Sequence, residues 1–189
     1  MESVLLISSS PQARDALCAV LRDASYGAVS VCDSAAKARR ALPEGDYGIL
    51  IINAPLTDEF GHELAMEAAA QSGMGVILLV KNEMAEDVAA RVEDSGVFVL
   101  GKPLNRPLFY QALKLVAASS RRIQGLQREN TKLQSKIEEI RLVDRAKCTL
   151  IQVLSMTEPQ AHRYIEKQAM DMRMTRRQIA ESILKTYET

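Results

Sequence analysis

Five cations near the end of the chain have the types and spacing to do chemistry: Arg145, Lys147, Arg173, Arg176 and Arg177. The last three flank Thr175, which opens the run Thr175-Arg176-Arg177-Gln178. A threonine followed three residues later by glutamine is a capping box, in which each side chain answers a backbone N–H of the first helical turn. Guanidinium groups beside the positive end of a helix are suited to meeting phosphate oxygens. Arg145 and Lys147 lie on an earlier helical pattern, with Ala146 between them, and extend the same expected phosphate-binding surface. Each arginine taken singly has a second reading, as a solvated charge pairing with Asp144, Glu166 or Asp171. Nothing in this arrangement calls for an enzyme, and no catalytic residue is assigned.

The charge distribution agrees with a nucleic-acid partner. Over 189 residues the formal net charge is zero, yet residues 1–119 hold 10 Lys and Arg against 15 Asp and Glu, net −5, while residues 120–189 hold 14 against 9, net +5. A basic C-terminal module can release counterions from a phosphate backbone while an acidic N-terminal one stays off it. Cys18, Cys32 and Cys148 show no paired spacing and no neighbouring histidines, so neither a disulfide framework nor a metal site is expected and the three read as buried small residues. No cofactor is implied. The N-terminus lacks a basic leader, and no apolar run reaches the length of a membrane span, which leads us to expect a cytoplasmic, soluble protein.

Two sets of elements must position these groups. Apolar runs at 4–7, 28–31, 47–52, 76–80 and 97–100 alternate with helical patterns near 11–24, 34–42, 59–71, 83–94 and 105–118. Regular alternation of this kind predicts an α/β domain over residues 1–118, a doubly wound five-stranded parallel sheet covered on both faces. In such sheets function gathers at the C-terminal strand ends. Those ends carry Ser8 and Ser9, Asn53, Lys81, and Lys102 with Pro103.

This layout, with the loop from Ile51-Ile52-Asn53 through Ala54-Pro55 to Gly61 and the turn Gly101-Lys102-Pro103, resembles the receiver domain of bacterial response regulators. The resemblance implies a phosphorylation pocket: an acidic pair holding magnesium, an aspartate accepting phosphoryl, a hydroxyl residue after the fourth strand and a lysine. Here Ser8 and Ser9, Asn53 and Lys81 occupy the first three places, and only Lys102 is retained. Phosphoryl transfer to a carboxylate needs that carboxylate and an oxygen-rich metal cage. The expectation is therefore a degenerate pocket that is not phosphorylated, serving either as a scaffold or as a docking face for a regulatory protein. Asp58 is expected to cap the third helix, and His62 to lie on the surface.

From Val116 onward apolar residues recur at heptad spacing. Val116, Ile123, Asn130 and Ile137 take one position, and Ser119, Leu126, Leu133 and Ile140 another. The pattern predicts a coiled-coil linker over residues 116–140, with Ile123, Leu126, Asn130, Leu133 and Ile137 at a homodimer seam. β-Branched residues at the first position with leucine at the second favour two parallel strands, and a lone asparagine fixes register. A helix folded against its own domain is the other reading. Gly125 weakens the helix by about 1 kcal/mol relative to alanine.

Residues 137–189 then read as a three-helix bundle, with helices near 137–155, 158–173 and 176–187 and a second capping box at Thr157-Glu158-Pro159-Gln160. The expected inward faces are Leu150, Val153 and Leu154; Ala161, Tyr164, Ile165 and Ala169; and Ile179, Ala180, Ile183, Leu184 and Tyr187. Tyr164 reads either as packing or as a stacking platform for a base. The segments Arg145-Ala146-Lys147, Glu158 to Ala161, Gln168-Ala169-Met170 and Ile179-Ala180 resemble the ANTAR domain, an RNA-binding output module of bacterial transcription antiterminators. That likeness implies recognition of RNA hairpins in a leader transcript, with Arg145, Ala146, Lys147, Arg173, Thr175, Arg176 and Arg177 as the contact set. Two other readings stay open. Residues 175–180 also look like the start of a DNA recognition helix, and the alternative without nucleic acid is a basic module that docks on the acidic one.

Overall fold

The computed structural model describes residues 3–26 and 28–187, the side chains at 71 and 72 excepted. The outermost ends of the expected 1–118 and 137–189 spans fall outside that range. The chain divides into two compact units, residues 1–127 and 128–189.

In the first unit five strands, β1 (Val4–Ser8), β2 (Val29–Cys32), β3 (Ile49–Asn53), β4 (Gly75–Lys81) and β5 (Val97–Lys102), form one parallel sheet in the order β2-β1-β3-β4-β5. Each expected strand is present. The two-residue period sends alternate side chains to opposite faces. Leu5, Ile7, Leu50, Ile52, Val76 and Leu78 face one core, closed by helices α2 (Ala35–Glu44), α3 (His62–Ser72) and α4 (Ala85–Val92). Val4, Leu6, Ile49, Ile51, Ile77 and Leu79 face the other, closed by α1 (Pro11–Asp23) and the first turns of α5 (Arg106–Leu154).

Caps fix where the helices begin. Ser10 accepts from the Ala13 N–H at the start of α1, where Pro11 fills a position whose N–H has no partner in any case. Asp58 does not cap α3. Both its oxygens accept backbone N–H bonds at the start of α2, from Ala35 and Ala36 at 2.9 Å each, and these hold its carboxyl below the usual range. α3 instead begins at Gly61, whose φ of 105° only glycine adopts without strain and which leaves no side chain to cap. Asp58 is thus released to staple the loop after β3 onto α2.

The expected helix at 105–118, the linker and the first helix of the C-terminal bundle are one helix, α5, of 49 residues. Between Pro107 and Pro159 no proline interrupts it, and Gly125 alone does not break it. Its early part belongs to the receiver-like core. Val116, the first heptad position of the expected linker, is buried there, so close to Gly75 that a Cβ at that glycine would collide with its Cγ1. Ser120 is buried too, with its hydroxyl 3.0 Å from the Gly73 carbonyl.

In the second unit the end of α5 packs with α6 (Glu158–Met172) and α7 (Arg176–Tyr187) around Ala146, Leu150, Ala161, Ile165, Ile179, Ala180, Ile183 and Leu184. Both capping boxes form. The Gln160 side chain accepts from the Thr157 N–H at 2.8 Å and the Gln178 side chain from the Thr175 N–H at 2.9 Å, while the Thr175 hydroxyl accepts from the Gln178 N–H. The inward face of α5 differs from expectation. Val153 and Leu154 are exposed, whereas Ala146 and Leu150, one turn apart, are fully buried and Leu142 and Val143 pack beside them. α5 ends at Leu154, followed by Ser155 at φ 51°, and Ile151 and Met156 pack against the cluster on either side of Val153 and Leu154. Tyr164 and Tyr187 are likewise exposed and stand outside the packed cluster.

Candidate nucleic-acid interface and degenerate pocket

The strand ends of the first unit bring three of the five expected pocket residues into direct contact. Asn53, at the end of β3, is 7% exposed and donates from Nδ2 to the Ser8 hydroxyl at 3.0 Å. Lys102, at the end of β5, donates to Asn53 Oδ1 at 2.9 Å and to the Ala54 carbonyl. Ser9 donates to the Pro55 carbonyl at 3.1 Å, bracing the same loop from the other side. Lys81 is exposed, and the β4–β5 register sets it directly opposite Lys102. Burial, and then the charge of Lys81, draw the Lys102 amine below the usual lysine range.

The donor set of this pocket is two hydroxyls, an amide and two amines. A hard divalent cation seeks anionic oxygens, so these residues do not fit the magnesium that a phosphorylating receiver uses. The nearby carboxylates are committed elsewhere. Asp58 caps α2, and Glu59 pairs with Arg39 at 2.7 Å, the same guanidinium that Glu67 meets at 2.8 Å. His62 sets its ring edge-on to Phe60.

In the second unit the expected contact residues do not all share one surface. Arg145 is exposed on α5, but Ala146 is fully buried and cannot meet a ligand. Successive helical side chains point about 100° apart, so Ala146 turns into the core with Leu150, Ala161 and Ala180 while Arg145 beside it stays exposed. Lys147 pairs with Asp144 at 2.8 Å and with Glu158 at 3.0 Å, joining α5 to the start of α6; these bonds hold its amine above the usual range. Arg173 closes α6 in the left-handed conformation, at φ 53°, with its side chain exposed. Thr175 spends its N–H and its hydroxyl on the capping box of α7.

Arg176 and Arg177 project from the first turn of α7. Their partners are not the acids expected. Arg176 lies 3.6 Å from Glu139, and Arg177 lies 3.7 Å from Glu138 and 3.0 Å from Glu181. Glu181 was open to sequence reasoning, four residues along the same helix. Glu138 and Glu139 reach α7 only through tertiary packing. Two further residues, Lys136 and His162, join Ile140, Val143, Lys147 and Arg176 around a cleft of about 190 Å³; no local sequence signal marks either of them. Cys148, expected to be buried, is exposed, and Cys18 and Cys32 are half-buried.

On the middle of α5, Ile123, Leu126, Leu133 and Ile137 are 46–59% exposed, and Asn130 is exposed among them. Among the described residues no helix is long and apolar enough to cross a membrane.

The ANTAR domain family model matches residues 131–184, which span the three-helix core and every cation of the second unit discussed above. Among solved structures, the first unit is similar to a two component transcriptional regulator AraC from Clostridium phytofermentans ISDg, with a TM-score of 0.59 and 17% identity over 66% of this chain and 98% of that one. It is also similar to the signal receiver domain of an HD domain-containing protein from Pseudomonas fluorescens Pf-5, with a TM-score of 0.57 and 20% identity over 64% of this chain and 89% of that one. At these identities the likeness establishes the receiver-like fold. Over the whole length, the transcriptional regulatory protein PdtaR of Mycobacterium tuberculosis, strain CDC 1551 / Oshkosh, is 30% identical across 98% of this chain and 91% of its own. With a receiver-like sheet in its first unit, an ANTAR match over its second and end-to-end similarity to such a regulator, the chain belongs to the ANTAR-domain response regulators, transcription regulators of the antiterminator family.

Proposed function

We propose that the protein is an RNA-binding antiterminator that works as a homodimer and captures hairpins in a leader transcript. The observation that carries this reading is the grouping of Arg173, Arg176 and Arg177 at the junction of α6 and α7, inside the segment matched by the ANTAR model. Cations at a helix start suit phosphate, and guanidinium planes can stack on unpaired bases where aromatic residues are scarce. The exposed apolar seam on α5, with Asn130 within it, supports pairing of two copies through a parallel coiled coil. Two C-terminal units held on one dimer would engage two hairpins, the second at raised effective concentration. Capturing both would favour the antiterminator fold of the transcript over the terminator.

The first unit serves as an input that does not use phosphate transfer. Asn53 is no phosphoryl acceptor and its pocket lacks a metal cage, so control falls to a partner protein at this face or to a ligand-dependent factor. The test of the output is a comparison, at one salt concentration, of binding to a leader hairpin pair and to a double-stranded promoter. Preference for the hairpins is the expected result. Preference for the duplex would replace this reading with a DNA-binding regulator, and salt-independent failure to bind either would leave a protein-interaction module.

A further inference from the structure

We infer that the outer edge of β2 is a docking site for an extended, acidic segment of a partner protein, which adds to the sheet alongside β2 as a further strand. The site is distinct from the strand-end pocket and does not rest on the RNA-binding reading.

β2 stands at the edge of the sheet and pairs only with β1. The Ala28 carbonyl accepts from the Val4 N–H at 2.8 Å. Along a strand the main-chain groups of successive residues point to opposite sides, so Ser30 and Cys32 also turn theirs toward β1, while Val29 and Val31 turn theirs outward. The side chains of these two valines share one face of the sheet, where Val29 packs against the core beside α1 and Val31 is 41% exposed. Natural sheet edges are blunted by charged side chains, proline or a bulge. The run Val29-Ser30-Val31-Cys32 carries no charge and no proline, and its register on β1 is unbroken.

Along this edge lies a cleft of about 500 Å³. Arg14, Cys18 and Arg22 reach it from α1, on one stripe at four-residue spacing, and Lys37 reaches it from α2. Its two acids are each held by a neighbour, Asp15 by Arg14 at 3.3 Å and Asp33 by Lys37 at 2.7 Å. Arg22 has no carboxylate partner among the described residues and donates from Nε to the Cys18 carbonyl at 3.2 Å. A local surplus of cations therefore borders an open strand, within residues 1–119 whose net charge is −5.

Arg14 and Arg22 are eight residues apart on the helix, about 12 Å. Carboxylates four residues apart on one face of an extended segment span about 13 Å, and so can meet both. The main chain of the same segment would bond to the outward N–H and C=O groups of Val29 and Val31; in strand addition the backbone supplies affinity and alternate side chains supply selectivity. A second copy of this chain is the poorer occupant, because two-fold pairing of β2 with itself sets Arg14, Arg22 and Lys37 of one copy against those of the other.

The probe is a short peptide alternating glutamate and valine, blocked at both ends and added to the full-length protein, with amide hydrogen exchange followed by NMR. In the protein alone the amides of Val29 and Val31 exchange quickly and those of Ser30 and Cys32 slowly. Saturable binding that slows Val29 and Val31 is the expected result. The same peptide with lysine in place of glutamate, or N-methylated at every residue, leaves both amides fast. Arg22→Glu weakens binding about 5-fold, the worth of one exposed ion pair and its reversal. Val31→Pro abolishes binding, since it removes an outward donor that an edge strand does not spend on its neighbour. No saturable binding at millimolar peptide, equal slowing by the lysine or N-methylated peptide, or an Arg22→Glu variant that binds like the parent would overturn the inference. Slowing of Val29 and Val31 in the protein alone as its concentration rises would assign the edge to a second copy, and would overturn it too. Hairpin binding is not read in this experiment, so failure here leaves the RNA proposal standing.

Discussion

Replacing Glu139 with glutamine should tighten RNA binding. The Glu139 carboxylate stands 3.6 Å from Arg176, and the two side chains are 34% and 52% exposed. A pair this open is worth about 0.2–1 kcal/mol, and RNA must displace it before Arg176 can meet a phosphate. The carboxylate also repels an arriving phosphate. At a separation of about 7 Å in water that repulsion is roughly 0.6 kcal/mol before salt screens it. Glu139→Gln removes both terms while keeping the shape of the side chain, so a gain of about 1 kcal/mol, or roughly 5-fold in dissociation constant, is expected. The control is Asp171→Asn, which changes net charge equally at an exposed carboxylate of α6 that has no cation partner among the described residues. Binding is read by fluorescence anisotropy of a labelled hairpin pair at several salt concentrations. Glu139→Gln should exceed the control, and the gap should narrow as salt rises. Equal gains in the two variants would reduce the effect to net charge, and weaker binding by Glu139→Gln would mean that the carboxylate orients Arg176 for RNA rather than masking it.

Charge reversal at Arg176 and Arg177 together, R176E/R177E, should abolish hairpin binding and leave the sedimentation behaviour of the dimer unchanged; undiminished binding would move the RNA surface elsewhere. Asn130→Leu should raise the melting temperature and broaden the distribution of oligomers seen by analytical ultracentrifugation, because a polar seam residue exchanges stability for register. Loss of the dimer would show that the heptad is misassigned. Leu150→Ala should destabilise the C-terminal bundle by about 2–5 kcal/mol, whereas Val153→Ala should cost about 0.5 kcal/mol or less, both read by chemical denaturation; the reverse order would restore Val153 to the core.

The sheet was legible because its signal is local. Runs such as 47–52 and 76–80 are too short and too uniformly apolar for amphipathic surface helices, and turn residues bound them, so strand identity and the residues at each strand end followed. Asn53, Ser8 and Lys102 could be placed at one site because parallel strands align their C-terminal ends. Helix phase was less secure. Leu150, Val153 and Leu154 satisfy helical spacing, but Ala146 and Leu150 satisfy it equally, and only the positions of α6 and α7 decide between the two. Alanine hides its role in sequence, being apolar enough for a core and small enough for a surface. The continuity of α5 also escaped, since a heptad run after a packed helix reads as a linker although nothing in it stops a helix. Glu139 and Glu138, which meet Arg176 and Arg177 from α5, lay nearly forty residues upstream, and no periodicity links them to α7. Asp58 was misassigned for a related reason: a carboxylate just before one helix can fold back to cap another.

The loop that leaves Asn53 is held at three points, by Lys102 on the Ala54 carbonyl, by Ser9 on the Pro55 carbonyl and by Asp58 on the first turn of α2. Fixing backbone costs roughly 1–2 kcal/mol of conformational entropy per residue, and here that cost is met when the first unit folds. A partner or ligand arriving at this face therefore encounters a surface already ordered, and none of its binding energy goes into freezing the loop. The same pre-organisation limits what the loop can report. With no disorder left to lose, it cannot signal by becoming ordered, and a message received at this end of the sheet has to be expressed as a change of charge or of occupied surface.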